Sequence, residues 1–333
     1  MKRLGLDGPF GTADFGPLPP LPDPPEGLAE RAITVDQTNR SVVVGERLVV
    51  KWFTPPAPPP QPGLAVLRHL AEAGFTRTAR PYTAVFDPSG ALLALVMDYL
   101  PDAEDGWDWC VDAAVAGEAV GELLGELIAD LHAALATPTA SAPEPVTTGA
   151  PSGLHARALE ALEEARGLTG EDWSESWTGP LREALEPLRE PSETVLMGIH
   201  GDLHVGQVLR WRDGHAVIDF DGNPVVAADG GAGHPAARDV AQFLLSLEHV
   251  GQVASYRRGH DASAWVRDNV AAFRAAYTGR LAALGQSRLF DERLVAPFSV
   301  EQECRELVYA ARFLPRWRYA PLGVLRSWFP EGE

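Results

Sequence analysis

The hydrophobic pattern of the chain changes near residue 100, and this change decides the class of fold. Before it, short apolar runs alternate with turn residues, apart from one helical stretch at 64–73. After it, apolar residues recur at helical spacing, at 111–136, 156–165, 181–188, 237–250 and 262–284. The sequence therefore predicts an α+β protein of two lobes. A small antiparallel β lobe is expected at 31–100 and a larger helical lobe at 101–333, after a proline-rich segment at 1–30.

The first lobe has five predicted strands. They are 33–35, 41–44, 48–53, 82–86 and 91–99. Because proline has no N–H for a strand ladder, the proline cluster at 55–62 is expected to end the third strand. Residues 137–152 are rich in Pro, Thr and Ala and are expected to form a surface loop.

Composition excludes several classes of function. The net charge of −18 opposes binding to nucleic acid or to an anionic membrane. The most apolar helical stretch, 119–135, is interrupted by charges and is not expected to span a bilayer. The first 27 residues lack the apolar run of a secretory signal, and two cysteines are too few for a disulfide framework. We therefore expect a cytoplasmic protein that acts on a small molecule, and its oligomeric state stays open.

Lysine is nearly absent from this chain. Of the 28 basic residues, only Lys2 and Lys51 are lysines, and the others are arginines. A lysine that is kept despite this preference for arginine is expected where a compact ammonium is needed and a planar guanidinium does not fit. Lys51 is therefore a candidate functional residue.

The residues with the clearest chemistry lie between two helical regions. Asp202, Gln207 and Asp219 flank two short apolar strands that are joined by a turn at 212–214. A hairpin of this kind holds the three side chains around one point. Phosphoryl transfer needs a carboxylate to accept the proton of the attacking hydroxyl, and oxygen ligands for the Mg²⁺ that bridges the phosphates of ATP. We therefore assign Asp202 as the catalytic base, and Gln207 and Asp219 as metal ligands.

Three points stay open here: the role of His204, the residues of the metal site and the class of function. His204 either orients the loop or contacts substrate, or it simply bonds to the backbone. A metal site made of His200, Asp202 and His204 would leave Gln207 and Asp219 without a role. A kinase-fold binding module without turnover is the other class of function, and the presence of both aspartates and Lys51 argues against it.

The order of these residues matches the signature of kinases. His200-Gly201-Asp202-Leu203 stands for the catalytic loop, Gln207 takes the place of the usual asparagine, and Asp219-Phe220-Asp221-Gly222 follows. Kinases keep a phosphate-binding lysine in the third strand, where Lys51 is predicted. The turn at 36–40 has no glycine, so its last residues, Asn39 and Arg40 among them, would cover the nucleotide. The adenine hinge is expected at Val96, Met97, Asp98 and Tyr99.

Several of these segments resemble the aminoglycoside-phosphotransferase-like kinases, and within them a maltokinase-like branch that includes glucosamine kinases. The resemblance is carried by residues 200–209, 218–224, 237–241, 105–107, 309–312 and 315–317. It implies a bilobal protein-kinase-like fold, ATP and Mg²⁺ as cofactors, and a sugar acceptor. It also implies Asp202 as base and Gln207 with Asp219 as metal ligands.

The chain departs from this branch in ways that bear on the acceptor. The helix after Lys51 offers only Glu72, one or two turns from where a glutamate partner of the lysine is expected, so we expect that ion pair to be absent or replaced. Maltokinases have a Glu-Lys pair near the start of the terminal helix, where this chain has Glu301, Gln302 and Glu303. Because an extra carboxylate suits an ammonium, these three residues, with Asp202 and His204, are expected to bind an amino sugar. The interpretation is a glucosamine kinase that forms glucosamine 6-phosphate, and the alternatives are a maltokinase or an aminoglycoside phosphotransferase.

Overall fold

A six-stranded antiparallel sheet forms the first lobe. The computed structural model describes residues 11–14, 29–33, 40–190, 193–221 and 233–330 of the chain. The sheet order is β1-β5-β6-β4-β3-β2. Its strands are β1 Gly11–Asp14, β2 Glu30–Ile33, β3 Arg40–Val44, β4 Leu48–Ala57, β5 Pro81–Phe86 and β6 Leu92–Asp98. The predicted β lobe is confirmed, although β1 was not predicted and β2 begins three residues before the strand expected at 33–35 and ends at the first residue of that strand.

The proline cluster does not end the third strand as predicted. Strand β4 continues to Ala57, through two prolines. Its pairing with β6 passes directly from Trp52 to Ala57, so the prolines lie where the register shifts. Since no ladder N–H is required at a register shift, proline is tolerated there.

Helix α1, Pro62–Glu72, connects β4 to β5 and packs on one face of the sheet. It begins two residues before the predicted helix, because Pro62 has no N–H to lose and its fixed φ suits a first turn. Leu67 and Leu70 on its inner face join Ala84 and Leu95 of the sheet in the main core. This packing fixes α1 close to strand β4, which carries Lys51.

The second lobe is built mainly from helices, as predicted. They are α2 Gly106–Ala116, α3 Gly121–Leu135, α4 Leu154–Thr169, α5 Glu175–Leu185, α6 Ala237–Arg258, α7 Ser263–Ala283, α8 Val295–Arg312 and α9 Tyr319–Trp328. None of the helices in the described ranges is both long and apolar enough to cross a membrane.

Two predictions in this lobe were wrong. The single helix expected at 111–136 is two helices, because Gly117 ends α2 with a left-handed φ of 72°. The loop expected at 137–152 contains strand β7, Val146–Gly149, which pairs with β8, Thr194–Met197. A four-residue strand whose partner is far along the chain leaves little local signal.

Helices α3 and α7 touch along their backbones. A Cβ placed on Gly121 would lie 2.2 Å from the carbonyl oxygen of Asn269, and one on Gly125 would lie 2.5 Å from that of Phe273. The side-chain oxygen of Asn269 also accepts the N–H groups of Val120 and Gly121, at 2.7 and 2.8 Å. Only glycine allows this approach, which makes the two helices one compact unit.

Candidate active site

A loop at 200–207 lies between β8 and a short hairpin, and its backbone is held by one buried carboxylate. The N–H groups of His200 and Gly201 donate to the two oxygens of Asp239, at 2.8 and 2.9 Å. Gly201 has a φ of 81°, which a residue with a side chain rarely adopts. Asp239, at the start of α6, therefore fixes the path of the loop that carries Asp202.

Asp239 is fully buried and has a chain of partners behind it. His132 Nε2 lies 3.2 Å from its Oδ2, and His132 Nδ1 lies 2.7 Å from the hydroxyl of Tyr277. Burial by itself would raise the pKa of Asp239, but the hydrogen bonds and positive partners, with His132 foremost, outweigh it and lower that pKa. The carboxylate therefore stays ionised inside the lobe.

The side chain of His200 ties this loop to the segment that carries Asp219. Its Nε2 donates to the carbonyl oxygen of Ile218 at 2.9 Å, and its Nδ1 accepts the N–H of Asp202 at 3.3 Å. The ring also contacts Phe220, with centroids 4.9 Å apart. His200 is therefore used for structure. No group of three or more His, Cys, Asp or Glu side chains placed to hold a metal occurs in the described ranges, which argues against the histidine-based alternative.

Asp202 is oriented by a neighbouring amide. Gln242 Nε2, on α6, donates to Asp202 Oδ1 at 2.8 Å, while the carboxylate stays half-buried. Gln242 is itself buried, at 6% exposure, so it holds one oxygen and leaves the carboxylate open on its other side. This geometry suits a base that accepts a proton from a hydroxyl group.

Gln207 and Asp219 are brought together by the hairpin of β9, Val208–Trp211, and β10, Gly214–Val217. The N–H of Ile218 donates to the carbonyl oxygen of Gln207 at 2.9 Å, which places Asp219 beside Gln207. Asp219 itself has a φ of 64°. This is a strained conformation for a residue with a side chain, and such residues cluster at functional sites.

Lys51 lies opposite this hairpin, between two carboxylates. Its Nζ is 2.7 Å from Asp219 Oδ1 and 2.7 Å from Asp221 Oδ2. Burial lowers the pKa of Lys51, but the two carboxylates more than offset it, so the pKa is raised and the ammonium is kept. A pair of carboxylates that already holds a cation suits Mg²⁺, a hard cation with oxygen ligands.

Glu72, the acidic residue of the helix after Lys51, is paired elsewhere, in line with the expectation that it does not pair with the lysine. Glu72, the last residue of α1, accepts the N–H of Ser141 at 2.8 Å. This bond links α1 to the segment after α3, so Glu72 serves the contact between the lobes.

The predicted adenine hinge lies at the end of β6, and its backbone is partly occupied. Val96 and Met97 are paired with strands on both sides. The N–H groups of Asp98 and Tyr99 donate to the carbonyl oxygens of Arg80 and Arg47, both at 2.9 Å, and Asp98 Oδ1 accepts the hydroxyl of Tyr82 at 2.6 Å. Of the two residues expected to cover the phosphates, Arg40 begins β3 and Asn39 lies outside the described residues.

His204 bonds to the backbone of its own loop. Its Nδ1 accepts the N–H of Gly206 at 3.1 Å, and its ring stacks on Trp107 with centroids 5.7 Å apart. Burial lowers the pKa of His204, although the charge of Asp202 opposes this, so the ring is neutral near pH 7. Trp107 also meets Trp317 edge-on at 5.3 Å, which extends the site towards the C-terminal part of the chain.

Two of the three residues expected to meet an amino sugar are buried and already paired. Glu301 is 1% exposed and accepts from Arg238 at 3.1 Å and from Arg305 at 2.7 Å. Glu303 has no exposed surface and lies 3.0 Å from Nε2 of His249. Burial raises the pKa of Glu303 well above its ordinary value and lowers that of His249, so the two form a neutral hydrogen-bonded pair. The structure therefore does not bring either carboxyl group to the open face of the site.

The other face of helix α8 carries the polar groups near Trp317. Gln302 Nε2 donates to Glu306 Oε1 at 3.1 Å, and Trp317 Nε1 lies 3.4 Å from Glu306 Oε2. All three side chains are partly exposed. Trp317 contacts Trp107, and Trp107 stacks on His204, which lies on the loop that carries Asp202. These polar groups are therefore linked to that loop. Glu306 was not predicted as a site residue, although its spacing of four from Gln302 places both on one helix face.

Comparisons with known proteins identify the family of this chain. The profile of the phosphotransferase enzyme family matches residues 30–273. A glucosamine kinase of Streptacidiphilus jiangxiensis is 41% identical over 91% of this chain and 74% of its own length. A glucosamine kinase of Mycolicibacterium smegmatis is 40% identical over 91% of this chain and 80% of its own length.

The chain belongs to the phosphotransferase enzyme family. Among solved structures, a glucosamine kinase in complex with glucosamine, ADP and inorganic phosphate has a TM-score of 0.79 and 35% identity, over 98% of this chain and 80% of that one. The GDP complex of an aminoglycoside 2'-phosphotransferase-IIIa mutant has a TM-score of 0.50 at 16% identity, over 90% of each chain, and shares the fold alone. The predicted kinase-like fold and the predicted family are confirmed.

Proposed function

We propose that this phosphotransferase is a kinase that transfers the γ-phosphate of ATP to glucosamine, at the 6-hydroxyl. The observation that supports this most directly is the placement of Asp202, Gln207 and Asp219 on one loop and hairpin opposite Lys51. It occurs in a chain 41% identical to a glucosamine kinase. ATP as donor and a cytoplasmic location are part of the same proposal.

Asp202 accepts the proton of the attacking hydroxyl. Gln242 donates to one of its oxygens, at 2.8 Å, and so keeps the carboxylate turned towards the acceptor. The loop beneath it cannot shift without breaking the two hydrogen bonds to Asp239. A base held in this way needs no rearrangement at the moment of transfer.

Gln207 and Asp219 would hold Mg²⁺. When bound, the ion neutralises charge on the phosphates. One end of the Gln207 amide lies 3.5 Å from His204 Nε2, which leaves its other end for the metal. Lys51 would exchange Asp219 for the phosphate oxygens of the nucleotide and keep Asp221. Since the N–H groups of Asp98 and Tyr99 are occupied, we assign the hinge N–H that meets adenine to Leu100.

Glu306 binds the ammonium of the amino sugar. It is the carboxylate near Trp317 that is partly exposed, whereas Glu301 is paired with arginines and Glu303 is buried. A carboxylate that meets an ammonium in a partly closed site contributes about 1.5–3 kcal/mol, or roughly 10- to 150-fold in kcat/KM. Neutral sugars have no ammonium for this carboxylate to bind, so they are weaker acceptors.

Acceptor selectivity tests the proposal. We expect glucosamine to be preferred over glucose, maltose and N-acetylglucosamine when ADP release is measured for each. Glu306→Gln should reduce the preference for glucosamine over glucose by about 10-fold or more, because it removes the charge and keeps the shape. Glu303→Gln is the matched control, since its carboxyl group is buried and already neutral. It should keep the preference.

Three results would change the conclusion. If glucose, maltose or an aminoglycoside is the better acceptor, the amino-sugar assignment fails and the phosphotransferase remains. If Glu303→Gln removes the preference and Glu306→Gln does not, the ammonium is recognised at the residue predicted from the sequence. No ADP release with any acceptor would reject the kinase.

A further inference from the structure

Lys51 has no acidic partner on helix α1. Kinases use an ion pair between the strand lysine and a glutamate on the following helix, and this pair links the helix to the phosphate site. Glu72 is the acidic residue of α1, and its carboxylate is bonded to the N–H of Ser141. Helix α1 therefore supplies no carboxylate to Lys51.

Asp221 is placed to make this connection. Its Oδ2 lies 2.7 Å from Lys51 Nζ. Its Oδ1 lies 2.8 Å from the point where a Cβ on Gly63 would stand, and the carbonyl oxygen of Phe220 lies 2.9 Å from the same point. One carboxylate thus touches both the lysine and the first turn of α1, and the missing side chain at Gly63 provides the space.

The first turn of α1 favours a negative charge at this position. The amino end of a helix carries a partial positive charge and free N–H groups. The side chain of Gln61, at the N-cap position, donates to the carbonyl oxygens of Ala57 and Gly90 instead of capping the helix. No acidic residue lies in the first turn itself. Asp221 supplies the charge from outside the helix.

We propose that Asp221 takes the place of the helix-borne glutamate: it is a positioning residue that links Lys51 to the first turn of helix α1, and Gly63 is the residue that admits it. The link sets where the ammonium stands when ATP arrives. The inference rests on the nucleotide site of the proposed function and is independent of the identity of the acceptor.

The test compares Asp221→Asn, Gly63→Ala and the double variant. We expect each single variant to raise the KM for ATP by about 5- to 30-fold, with a smaller change in kcat, because a partly exposed charged hydrogen bond is lost. The double variant should be no worse than the worse single variant, since both changes break one contact. Amide hydrogen exchange at 63–68, in protein without nucleotide or magnesium, should become at least about 10-fold faster in Asp221→Asn.

Two matched controls separate this role from general effects. Glu72→Gln changes the acidic residue of α1, and Gly279→Ala adds a Cβ to an exposed position in α7 that has no atom within 4 Å. Both should leave the KM for ATP and the exchange at 63–68 unchanged.

Other outcomes would overturn the inference. If Glu72→Gln raises the KM and Asp221→Asn does not, the lysine depends on the helix-borne glutamate. If Asp221→Asn shifts only the magnesium requirement, with exchange at 63–68 unchanged and additive effects in the double variant, Asp221 is a metal ligand only. If no variant of the chain turns over ATP, the proposed function fails, while the exchange measurement still decides the link to α1.

Discussion

Two charged groups flank the reaction centre and are held in opposite ways. Asp239 has no exposed surface, and each of its oxygens accepts an N–H of the catalytic loop. Lys51 is 15% exposed and lies between Asp219 and Asp221, whose side chains are 45% and 47% exposed. The first group is enclosed and fully bonded, whereas the second is a partly exposed ammonium held by two carboxylates that are about half exposed.

The difference follows from what each group does. A buried charge is expensive unless it is fully paired, so Asp239 has one stable arrangement and fixes the loop. A partly exposed ion pair contributes less to stability, so in the proposed site Lys51 would exchange Asp219 for phosphate oxygens at small cost. The site thus combines a rigid support for the base with a cation that is free to change partners.

The largest effect is expected at Asp202, which lies on the loop held by Asp239. Asp202→Asn should lower kcat by about 10²-fold or more, because it removes the proton acceptor. Affinity for ATP and thermal stability should stay near those of the unchanged protein. Turnover measured beside nucleotide titration and thermal unfolding checks this. Normal turnover would exclude Asp202 as the base.

The second largest effect is expected at Asp239, which holds the backbone of the loop. Asp239→Asn should lower the free energy of unfolding by about 3 kcal/mol, because the new NH₂ group faces the loop N–H groups without an acceptor. The pKa of Asp239 is lowered in the folded state, so its contribution is present above its ordinary value of 3.8 and is lost as the pH falls through the folded pKa.

Denaturant unfolding at pH 7 and near pH 3 measures both parts of this prediction. The difference in the free energy of unfolding between the unchanged protein and Asp239→Asn should be smaller at the lower pH. Asp112→Asn is the control, since Asp112 forms an exposed ion pair with Arg258 and should cost less than about 0.5 kcal/mol. Equal losses in the two variants would contradict the distinction between the buried and exposed groups.

The smallest effect is expected at Lys51. Lys51→Arg should lower kcat/KM for ATP by about 10-fold, because a planar guanidinium does not fit the place of a compact ammonium. In the unchanged protein, ATP should slow acylation of Lys51 and leave Lys2, the other lysine, as an internal reference. Equal labelling with and without ATP would place Lys51 outside the nucleotide site.

Local patterns predicted the lobes and the catalytic segment well. Alternation of apolar residues located β3 to β6, and the spacing of Asp202, Gln207 and Asp219 identified a hairpin that the structure contains. These features depend on residues close together in the chain. The break at Gly117 was missed, because helical periodicity continues on both sides of it.

The parts that could not be predicted depend on contacts between distant residues. Asp239 is one aspartate among 46 acidic residues until the fold places it under the loop. The choice between Glu303 and Glu306 needs the rotation of α8, which a sequence of alternating acidic residues does not fix. Asp221 acquires its role only because Gly63, far earlier in the chain, lies against it.

The glycine contacts between α3 and α7 also determine how the enzyme can move. Because these backbones already touch, a slide of α3 along α7 would break the contact between them, and we expect the two helices to move together. We expect movement around a nucleotide to be a hinge between the lobes, near residues 99–105. It must also bend or break the backbone bond from the N–H of Val217 to the carbonyl oxygen of Arg77, 2.9 Å long. We therefore expect the rates of opening and product release to depend on polar contacts of this kind between the lobes, with little repacking of the core.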